Sequence, residues 1–348
     1  MRRKLKILGV SAGQGALLFP FLNDKRFKIL ANLESRGVFH TPKEEQWKLN
    51  FGKIPFLKDL KFIFESKKIR GGCDIIVSSP DCGASSVMRL SKVKQLGDPK
   101  DNKSLNMVLE AIQFLNPTIF VIENLPKLVT LLPLEFFERS APEYKLVYHH
   151  RPVSDYGNSQ VSRKRLMIIG IRKDSKKFMK LFDEVFQVNT LKVSRKLLEV
   201  AQFNGNEANW MPPLDKTLAM YDYRKLPEKK VLTVKKIHKL WSKDFKDEKK
   251  WPIKTAKMST LPGVYRLEAD RPPLTLRPAD RQFRPDGWPL GIRDFKNIMG
   301  FPKEYELYMD HERYLYWLNK ARYTLAKGAC YEAGLWFKRC LEKALKGT

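Results

Sequence analysis

Two apolar segments, each followed by a reactive side chain, constrain the fold of this chain more than any other feature. The first is Ile75–Ser78, an apolar run that stops at Ser-Ser-Pro and predicts a buried strand leading into a loop that carries Cys82. The second is the β-branched run Thr118–Ile122, which ends on Glu123. Parallel strands place such groups at the carboxyl edge of one sheet, where open α/β folds bind ligands. The pattern therefore predicts an α/β fold in which thiol addition is assisted by an acid.

A glycine-rich loop near the start of the chain indicates a second part of the same site. A strand-like segment, Lys4–Val10, is followed by the loop Ser11–Gly15 and by a predicted helix start at Ala16–Leu22. Such a loop alone is equally typical of an ordinary turn. However, the strand Phe27–Leu33 ends on Glu34, about 20 positions beyond the glycines, where an acid can bind a ribose. Together these features favour an adenosine-containing cofactor.

Asp59 lies in a loop-like setting, where it could accept a hydrogen bond from an adenine amino group. The alternative is a solvated loop acid, which is the commoner role of such residues.

Periodicity divides the chain into three parts. Residues 1–172 alternate strands and helices, with a helix predicted over Leu105–Leu115 and strands over Tyr144–His149 and Arg165–Ile171. Residues 173–318 lose this alternation, and we expect a smaller, irregular domain there. Residues 319–348 contain an amphipathic helix, predicted over Thr324–Leu345, which returns to the first domain.

The charge balance indicates a polyanionic partner. The chain has 66 Lys and Arg against 38 Asp and Glu, a formal net charge of +28. Composition alone also fits a ribosome-associated or membrane-surface protein. Within the second part, basic residues far outnumber acidic ones between Arg224 and Lys257, and tryptophans lie among them. This combination suits contact with phosphates and bases, whereas a solvated lysine-rich surface is the alternative.

The four cysteines include no Cys-x-x-Cys pair, so we expect no disulfide framework, no metal site and a reducing cytoplasm, bacterial or of a host cell. The apolar start superficially resembles a signal peptide, but glycines interrupt it and no cleavage site follows. No long apolar stretch predicts a membrane span.

With these residues assembled, nearly the whole chain resembles the DNA (cytosine-5) methyltransferase family, of a divergent bacterial or phage type. The resemblance rests on five motifs in the family's order. They are Val10–Gly15 with Glu34 and Asp59, Ser79–Cys82, Glu123–Leu125, Gln160 with Arg163 and Arg165, and Arg271–Thr275 with Met299–Pro302. It implies a Rossmann-like S-adenosylmethionine-dependent methyltransferase core with a smaller, irregular target recognition domain.

The resemblance also implies roles for individual residues. Cys82 would add to C6 of a flipped cytosine in double-stranded DNA, and Glu123 would offset the charge that develops, with Arg165 on the exocyclic oxygen and Arg163 nearby. We expect a monomer. S-adenosylmethionine would be bound by Ser11, Gly13, Gly15, Glu34, Asp59 and Pro80. DNA would be bound by Gln160, Arg224, Lys229, Lys230, Lys235 and Lys236.

The chain departs from the family pattern at several positions. Gly9 and Ser11 replace an acid and a phenylalanine, so we expect no aromatic packing on the adenine from this loop. Asp81 replaces a proline and places a carboxylate beside Cys82.

Two alternatives stay open at the level of sequence. One is an RNA cytosine-5 methyltransferase, against which the long basic region argues. The other is a non-catalytic nucleic-acid-binding protein, against which the retained Cys82, Glu123, Gln160 and Arg165 argue.

Overall fold

The computed structural model describes most of the predicted core. The longer described ranges are 3–34, 43–58, 72–81, 102–158, 163–176, 292–307 and 328–346. Shorter described pieces are 69, 160, 178–180, 264–266, 273, 275, 281–283, 290 and 325.

The core is a mixed seven-stranded sheet with the strand order β3-β2-β1-β4-β5-β7-β6. The first five strands are parallel, and β7 is antiparallel to both β5 and β6. The strands are β1 (Leu5–Val10), β2 (Phe27–Leu33), β3 (Phe56–Leu57), β4 (Ile75–Ser78), β5 (Ile119–Asn124), β6 (Tyr144–Pro152) and β7 (Lys164–Arg172). This confirms the predicted Rossmann-like α/β class, with an antiparallel strand inserted near one edge.

Helices and two further short strands complete the described elements. The helices are α1 (Lys43–Phe51), α2 (Lys103–Leu115), α3 (Leu128–Leu131), α4 (Leu134–Ser140), α5 (Ile292–Ile298) and α6 (Tyr331–Lys346). Two strands, β8 (Val264–Arg266) and β9 (Arg281–Phe283), pair in parallel as a separate small sheet. None of the helices in the described ranges has both the length and the apolarity needed to cross a membrane.

The central strands β4 and β5 are buried along their whole length, as their continuous apolar runs predict. Their side chains alternate between two hydrophobic cores, one on each face of the sheet. On β5, Ile119 and Val121 contribute to one core, whereas Phe120 and Ile122 contribute to the other. Strands β4 and β5, which end at the same edge of the sheet, are therefore packed against a hydrophobic core on both faces.

Two helix predictions were wrong in their extent. Ala16–Leu22 forms only a short 3₁₀ turn over Phe19–Phe21, with Pro20 in its first turn. The helix predicted over Thr324–Leu345 is not continuous, because Gly328 to Cys330 are not helical and α6 begins at Tyr331. Both departures bring α6 against the loop after β1. A Cβ at Gly334 would lie 2.6 Å from the Leu17 carbonyl oxygen, so only glycine allows this approach.

The contact between β6 and α6 makes a prediction about acid stability. His149 is 3% exposed, its ring lies 5.4 Å from that of Trp336, and burial, with a smaller effect of Arg151, lowers its pKa to about 4. The unfolded chain, with an ordinary histidine pKa near 6.5, therefore binds more protons as the pH falls below that value. The contribution of neutral His149 to the free energy of unfolding is therefore complete above pH 6.5 and is lost as the pH falls towards 4. At pH 5 we expect a loss on the order of 2 kcal/mol from this group.

Urea unfolding of the parent and of His149→Gln at pH 7 and pH 5 measures this effect. Carboxyl groups titrate in both proteins, so the difference between them isolates His149. The parent should lose more stability than the variant, and equal losses would contradict the prediction.

Candidate active site

The loop after β4 is held from three sides just before Cys82. The Ser79 amide donates to the Ser11 carbonyl at 3.2 Å, and the Asn124 side-chain amide donates to the Pro80 carbonyl at 3.1 Å. The Asp81 amide donates to Ser104 Oγ at 2.8 Å, and Asn102 Nδ2 donates to the Asp81 carbonyl at 2.9 Å. Cys82 lies outside the described residues.

The start of α2 supplies two of these contacts. Asn102 caps the helix, since its Oδ1 accepts from the amides of Ser104 and Leu105 at 3.1 and 3.2 Å. The same oxygen accepts from the Ser104 hydroxyl at 2.9 Å. The cap that begins α2 is therefore continuous with the polar contacts that position Asp81.

The acid at the end of β5 forms a buried ion pair. Glu123 is 3% exposed, and its Oε1 lies 2.8 Å from Nε of Arg165 on the neighbouring strand β7. Its Oε2 accepts a hydrogen bond from the Ser79 hydroxyl at 2.7 Å. The carboxylate thus contacts the Arg165 guanidinium through one oxygen and the Ser79 hydroxyl through the other. Ser79 thus connects the acid directly to the loop that carries Cys82.

The loop after β1 takes a left-handed backbone at three positions. The φ values are +52° at Ser11, +61° at Gly13 and +84° at Gly15. The Gly13 amide donates to Glu34 Oε1 at 2.5 Å, and Asn32 Nδ2 donates to the Gly13 carbonyl at 3.1 Å. The predicted ribose acid thus lies against the glycine loop, as its position at the end of β2 indicates.

Glycine is required at Gly15 because α1 lies directly beneath it. A Cβ there would be 2.4 Å from the ring of Phe51, which stacks on Trp47 with centroids 3.8 Å apart. At Gly13, by contrast, a Cβ would meet no atom of the described residues within 4 Å. The loop is thus packed on α1 at Gly15 and has room for a ligand at Gly13.

Packing against Asn32 explains why glycine stands at position 9, where the family pattern has an acid. A Cβ at Gly9 would lie 2.7 Å from Oδ1 of Asn32, a fully buried residue whose side chain holds the glycine loop. Ser11 is 3% exposed and its hydroxyl donates to the Ser104 carbonyl at 3.4 Å. The Ser11 side chain is therefore directed at α2.

Gln160, which was predicted to bind DNA, lies in the interior of the protein. Its side chain is fully buried, and Nε2 donates to Asn158 Oδ1 at 3.2 Å and to the Ile298 carbonyl at 3.3 Å. In this structure the Gln160 amide satisfies interior polar groups, and its contact with DNA stays a prediction.

Arg163 contacts the segment before α6. It is 2% exposed, and its Nη2 donates to the Gly328 carbonyl at 3.0 Å.

The Glu332 carboxylate accepts three hydrogen bonds near the start of α6. Asn158 donates to both carboxylate oxygens of Glu332, at 3.0 and 3.1 Å, and the Cys330 thiol donates to the same carboxylate at 3.3 Å. Burial, followed by this carboxylate, raises the Cys330 pKa well above its usual range, so the thiol stays neutral.

The structure therefore brings together Ser11, Gly13, Gly15, Glu34, Pro80, Glu123 and Arg165 around one edge of the sheet. Cys82, Asp59, Arg224, Lys229, Lys230, Lys235 and Lys236 lie outside the described residues. Sequence reasoning missed Asn32, Ser79, Asn102 and Ser104 as positioning residues. The signal available for Ser104 and Asn102 was a polar pair at the start of a predicted helix. Within the described ranges, no cluster of His, Cys, Asp and Glu could hold a metal ion.

Asp81 allows a specific test of the surroundings of Cys82, the predicted nucleophile. Asp81→Asn keeps the backbone contacts to Ser104 and Asn102 but removes the charge beside Cys82. A nearby carboxylate disfavours a thiolate by about 1 kcal/mol at 4 Å in water, so we expect methylation at pH 7 to rise about two- to fivefold. Initial rates from pH 6 to 9 measure this, and the gain should shrink at high pH.

Asp81→Pro is the matched comparison. It removes the same charge but also the backbone N–H that donates to Ser104 Oγ. The methylation rate of Asp81→Pro should therefore be lower than that of Asp81→Asn. A rate for Asp81→Asn at or below that of the parent at pH 7 would contradict the prediction.

Comparison with known proteins identifies the family of the chain and proteins with a similar fold. The family model for C-5 cytosine-specific DNA methylases matches residues 21–318. A protein encoded within a prophage of E. coli, whose description proposes that it is a DNA modification methyltransferase, has a similar structure, with a TM-score of 0.63 and 15% identity, covering 99% of this chain and 100% of that chain. No curated protein matches the chain.

Two eukaryotic structures show the same fold. S. pombe Dnmt2 methyltransferase has a TM-score of 0.61 and 12% identity, covering 97% of this chain and 98% of that chain. Entamoeba histolytica methyltransferase EhMeth has a TM-score of 0.62 and 12% identity, covering 99% of both chains. At such identities the likeness concerns the fold.

The family model, which matches most of the chain, identifies a methyltransferase of the cytosine-5 class, and the Rossmann-like sheet is consistent with it. The chain belongs to the C-5 cytosine-specific DNA methylase family.

Proposed function

We propose that this protein methylates carbon 5 of cytosine in DNA, with Cys82 as the nucleophile. The observation that supports this best is the Glu123 carboxylate, which accepts from Ser79 of the Cys82 loop on one oxygen and pairs with Arg165 on the other. DNA as the substrate is supported by the family model and by the description of the prophage relative.

Members of this family generally use S-adenosylmethionine, and the glycine loop fits that molecule. The open space at Gly13 and the adjacent Glu34 carboxylate would accept the adenosine part, and Ser11, Gly15, Asp59 and Pro80 complete the proposed set. We propose that Ser11 contributes through its backbone, because its hydroxyl donates to Ser104. When bound, the cofactor supplies a methyl group from a sulfonium sulfur.

Cys82 would make C5 reactive. Its thiolate forms a bond to C6 of the ring, and the electron pair displaced from the C5–C6 double bond makes C5 nucleophilic. After C5 has taken up the methyl group, its proton leaves to a base, the electron pair of the C5–H bond re-forms the C5–C6 double bond, and the C6–S bond breaks so that Cys82 leaves as a thiolate. The base must first leave the duplex, at a cost of about a few kcal/mol.

Glu123 and Arg165 would stabilise the ring while Cys82 is attached. Oε1 is held by Arg165, so Oε2 is the oxygen that can exchange the Ser79 hydroxyl for a proton shared with ring N3. Arg165 has five N–H donors; one donates to the Lys164 carbonyl, and the guanidinium also forms the ion pair with Glu123. The others can serve the exocyclic oxygen. Such stabilisation acts only on charge that develops during the addition.

Arg163 was predicted to be catalytic, and we now propose a positioning role for it. Its guanidinium donates to the Gly328 carbonyl and is almost completely buried. It would secure the segment before α6 next to the site without touching the base.

Residues 173–318 would form the target recognition domain. We propose that Arg224, Lys229, Lys230, Lys235 and Lys236 contact DNA phosphates. Exchange of residues 173–270 with those of a related methyltransferase should then move the methylated sequence, and an active chimera with an unchanged target would refute this assignment.

The salt dependence of DNA binding tests the lysines separately. Each phosphate contact contributes a slope of about −0.9 in a plot of log K against log salt concentration. Replacing Lys229, Lys230 and Lys235 together by glutamine should flatten the slope by about 2 to 3. An unchanged slope would mean that these lysines are only solvated.

Bisulfite sequencing tests the proposed reaction. DNA and RNA are taken from cells without endogenous cytosine-5 methylation that express the parent or Cys82→Ala. The proposal expects methylated cytosines in a defined sequence of DNA from the parent alone. Methylation confined to RNA would replace the proposal by the RNA alternative, and methylation of neither would refute both.

A further inference from the structure

Residues 298–306, which we call the strap, run between the two halves of the site. At its start, the Ile298 carbonyl and the Met299 sulfur accept from the buried Gln160 amide, at 3.3 and 3.4 Å. At its other end the strap reaches the glycine loop. It therefore contacts both the segment that leads to Arg165 and the proposed cofactor loop.

Tyr305 makes the contact with the glycine loop. Its hydroxyl donates to the Gln14 carbonyl at 3.0 Å, between the two glycines, and the residue has no exposed surface. The ring packs on Phe301 and Phe19, with centroids 4.5 and 5.1 Å away. Burial raises the pKa of this hydroxyl far above its usual range, so it stays a donor.

The next residue holds the helix beneath the loop. The Glu306 amide donates to Asn50 Oδ1 at 2.8 Å, and its carbonyl accepts from the side-chain amides of Asn50, at 2.8 Å, and Gln46. Both belong to α1, whose aromatic rings lie directly under Gly15. Adjacent residues of the strap thus hold the glycine loop and the helix on which it packs.

We propose that Tyr305 is a positioning residue for the cofactor, which keeps the glycine loop in its binding conformation before S-adenosylmethionine arrives. This rests on the proposed cofactor site. Glycine adopts the left-handed backbone of Gly13 and Gly15 readily but does not strongly prefer it. Contacts from outside the loop are therefore needed to keep the loop in this one conformation. When only a fraction of molecules has the competent loop, the apparent Kd rises by the inverse of that fraction.

Tyr305→Phe removes the hydroxyl and keeps the ring. We expect the Kd of S-adenosylmethionine, measured by calorimetry on the full-length chain, to rise about 3- to 10-fold, the equivalent of one hydrogen bond. The KM for the cofactor should rise to a similar extent, whereas kcat at saturating cofactor should stay within about twofold, because the loop is then ordered by the ligand.

Tyr144→Phe is the matched control. Tyr144 is also buried and donates to a backbone carbonyl, that of Pro117 at 2.7 Å, at the opposite end of β5 from Glu123. It should lower thermal stability and leave the Kd unchanged.

Three outcomes decide the proposal. A raised Kd in Tyr305→Phe with the parent value in Tyr144→Phe supports it. Parent-like binding by Tyr305→Phe, or equal weakening in both variants, would overturn it and leave Tyr305 a purely structural residue. A parent protein that binds no S-adenosylmethionine would refute the proposed cofactor site itself, and this inference with it.

Discussion

Replacement of Cys82 by alanine is expected to lower methyl transfer by about 10⁴-fold or more, the scale seen when an enzyme loses its nucleophile. The reason is chemical, since C5 of cytosine becomes reactive only after a thiolate has added at C6. Binding of DNA and cofactor should be unchanged, because the alanine keeps the backbone of the loop. Transfer of radiolabelled methyl groups to DNA measures the loss, and filter binding measures the retained affinity.

Cys73→Ala is the control for this change. Cys73 is 8% exposed just before β4, and burial, followed by the neighbouring Asp74, raises its pKa to about 12, so it is a neutral thiol at physiological pH. Its replacement should affect stability slightly and activity little. Substantial methyl transfer by Cys82→Ala would show that another group is the nucleophile.

The second large effect is expected at the buried ion pair. Arg165→Leu leaves the Glu123 carboxylate, 3% exposed, without its cationic partner and should lower the free energy of unfolding by about 3–5 kcal/mol. Glu123→Gln should cost less stability, because an amide oxygen can still accept from Arg165, but should slow methyl transfer by about 10²- to 10³-fold. The double variant should be more stable than the sum of the single losses predicts.

An exposed pair on the same strand provides the comparison. Arg172 Nε lies 2.7 Å from Asp174, whose side chain is 69% exposed, so Arg172→Leu should cost no more than about 1 kcal/mol through this pair. Denaturant unfolding of the four variants and the parent gives the full cycle. Equal losses for Arg165→Leu and Arg172→Leu, or strict additivity at Glu123 and Arg165, would contradict the account of the site.

The elements that the sequence predicted best are those whose pattern has one physical interpretation. The runs that became β4 and β5 are apolar throughout, because each lies in the middle of the sheet with a core on both faces. Since parallel strands end at the same edge, the proximity of Glu123 to the Cys82 loop followed from topology alone.

The elements that the sequence did not predict depend on contacts distant in the chain. A helix was expected over Ala16–Leu22, but the close approach of Gly334 to Leu17 and the presence of Pro20 leave a single turn. Gln160 was assigned to DNA from its motif, although its partner Ile298 lies in a part of the chain that no local pattern connects to it. Asn32 is a polar residue in the mostly apolar strand β2, and Ser104 is one of several polar residues at the start of α2. The roles of both depend on the folded loops beside them.

Covalent capture on DNA that contains 5-fluorocytosine tests the central claim most directly. Fluorine at C5 cannot leave as a proton does, so the thiol cannot be expelled after methylation. In the presence of S-adenosylmethionine, the protein should form an adduct with this DNA that survives denaturing electrophoresis. Mass spectrometry of the digested adduct should find the nucleotide on the peptide that contains Cys82, and Cys82→Ala should form none. An adduct on another residue, or one that persists in Cys82→Ala, would contradict the proposed mechanism.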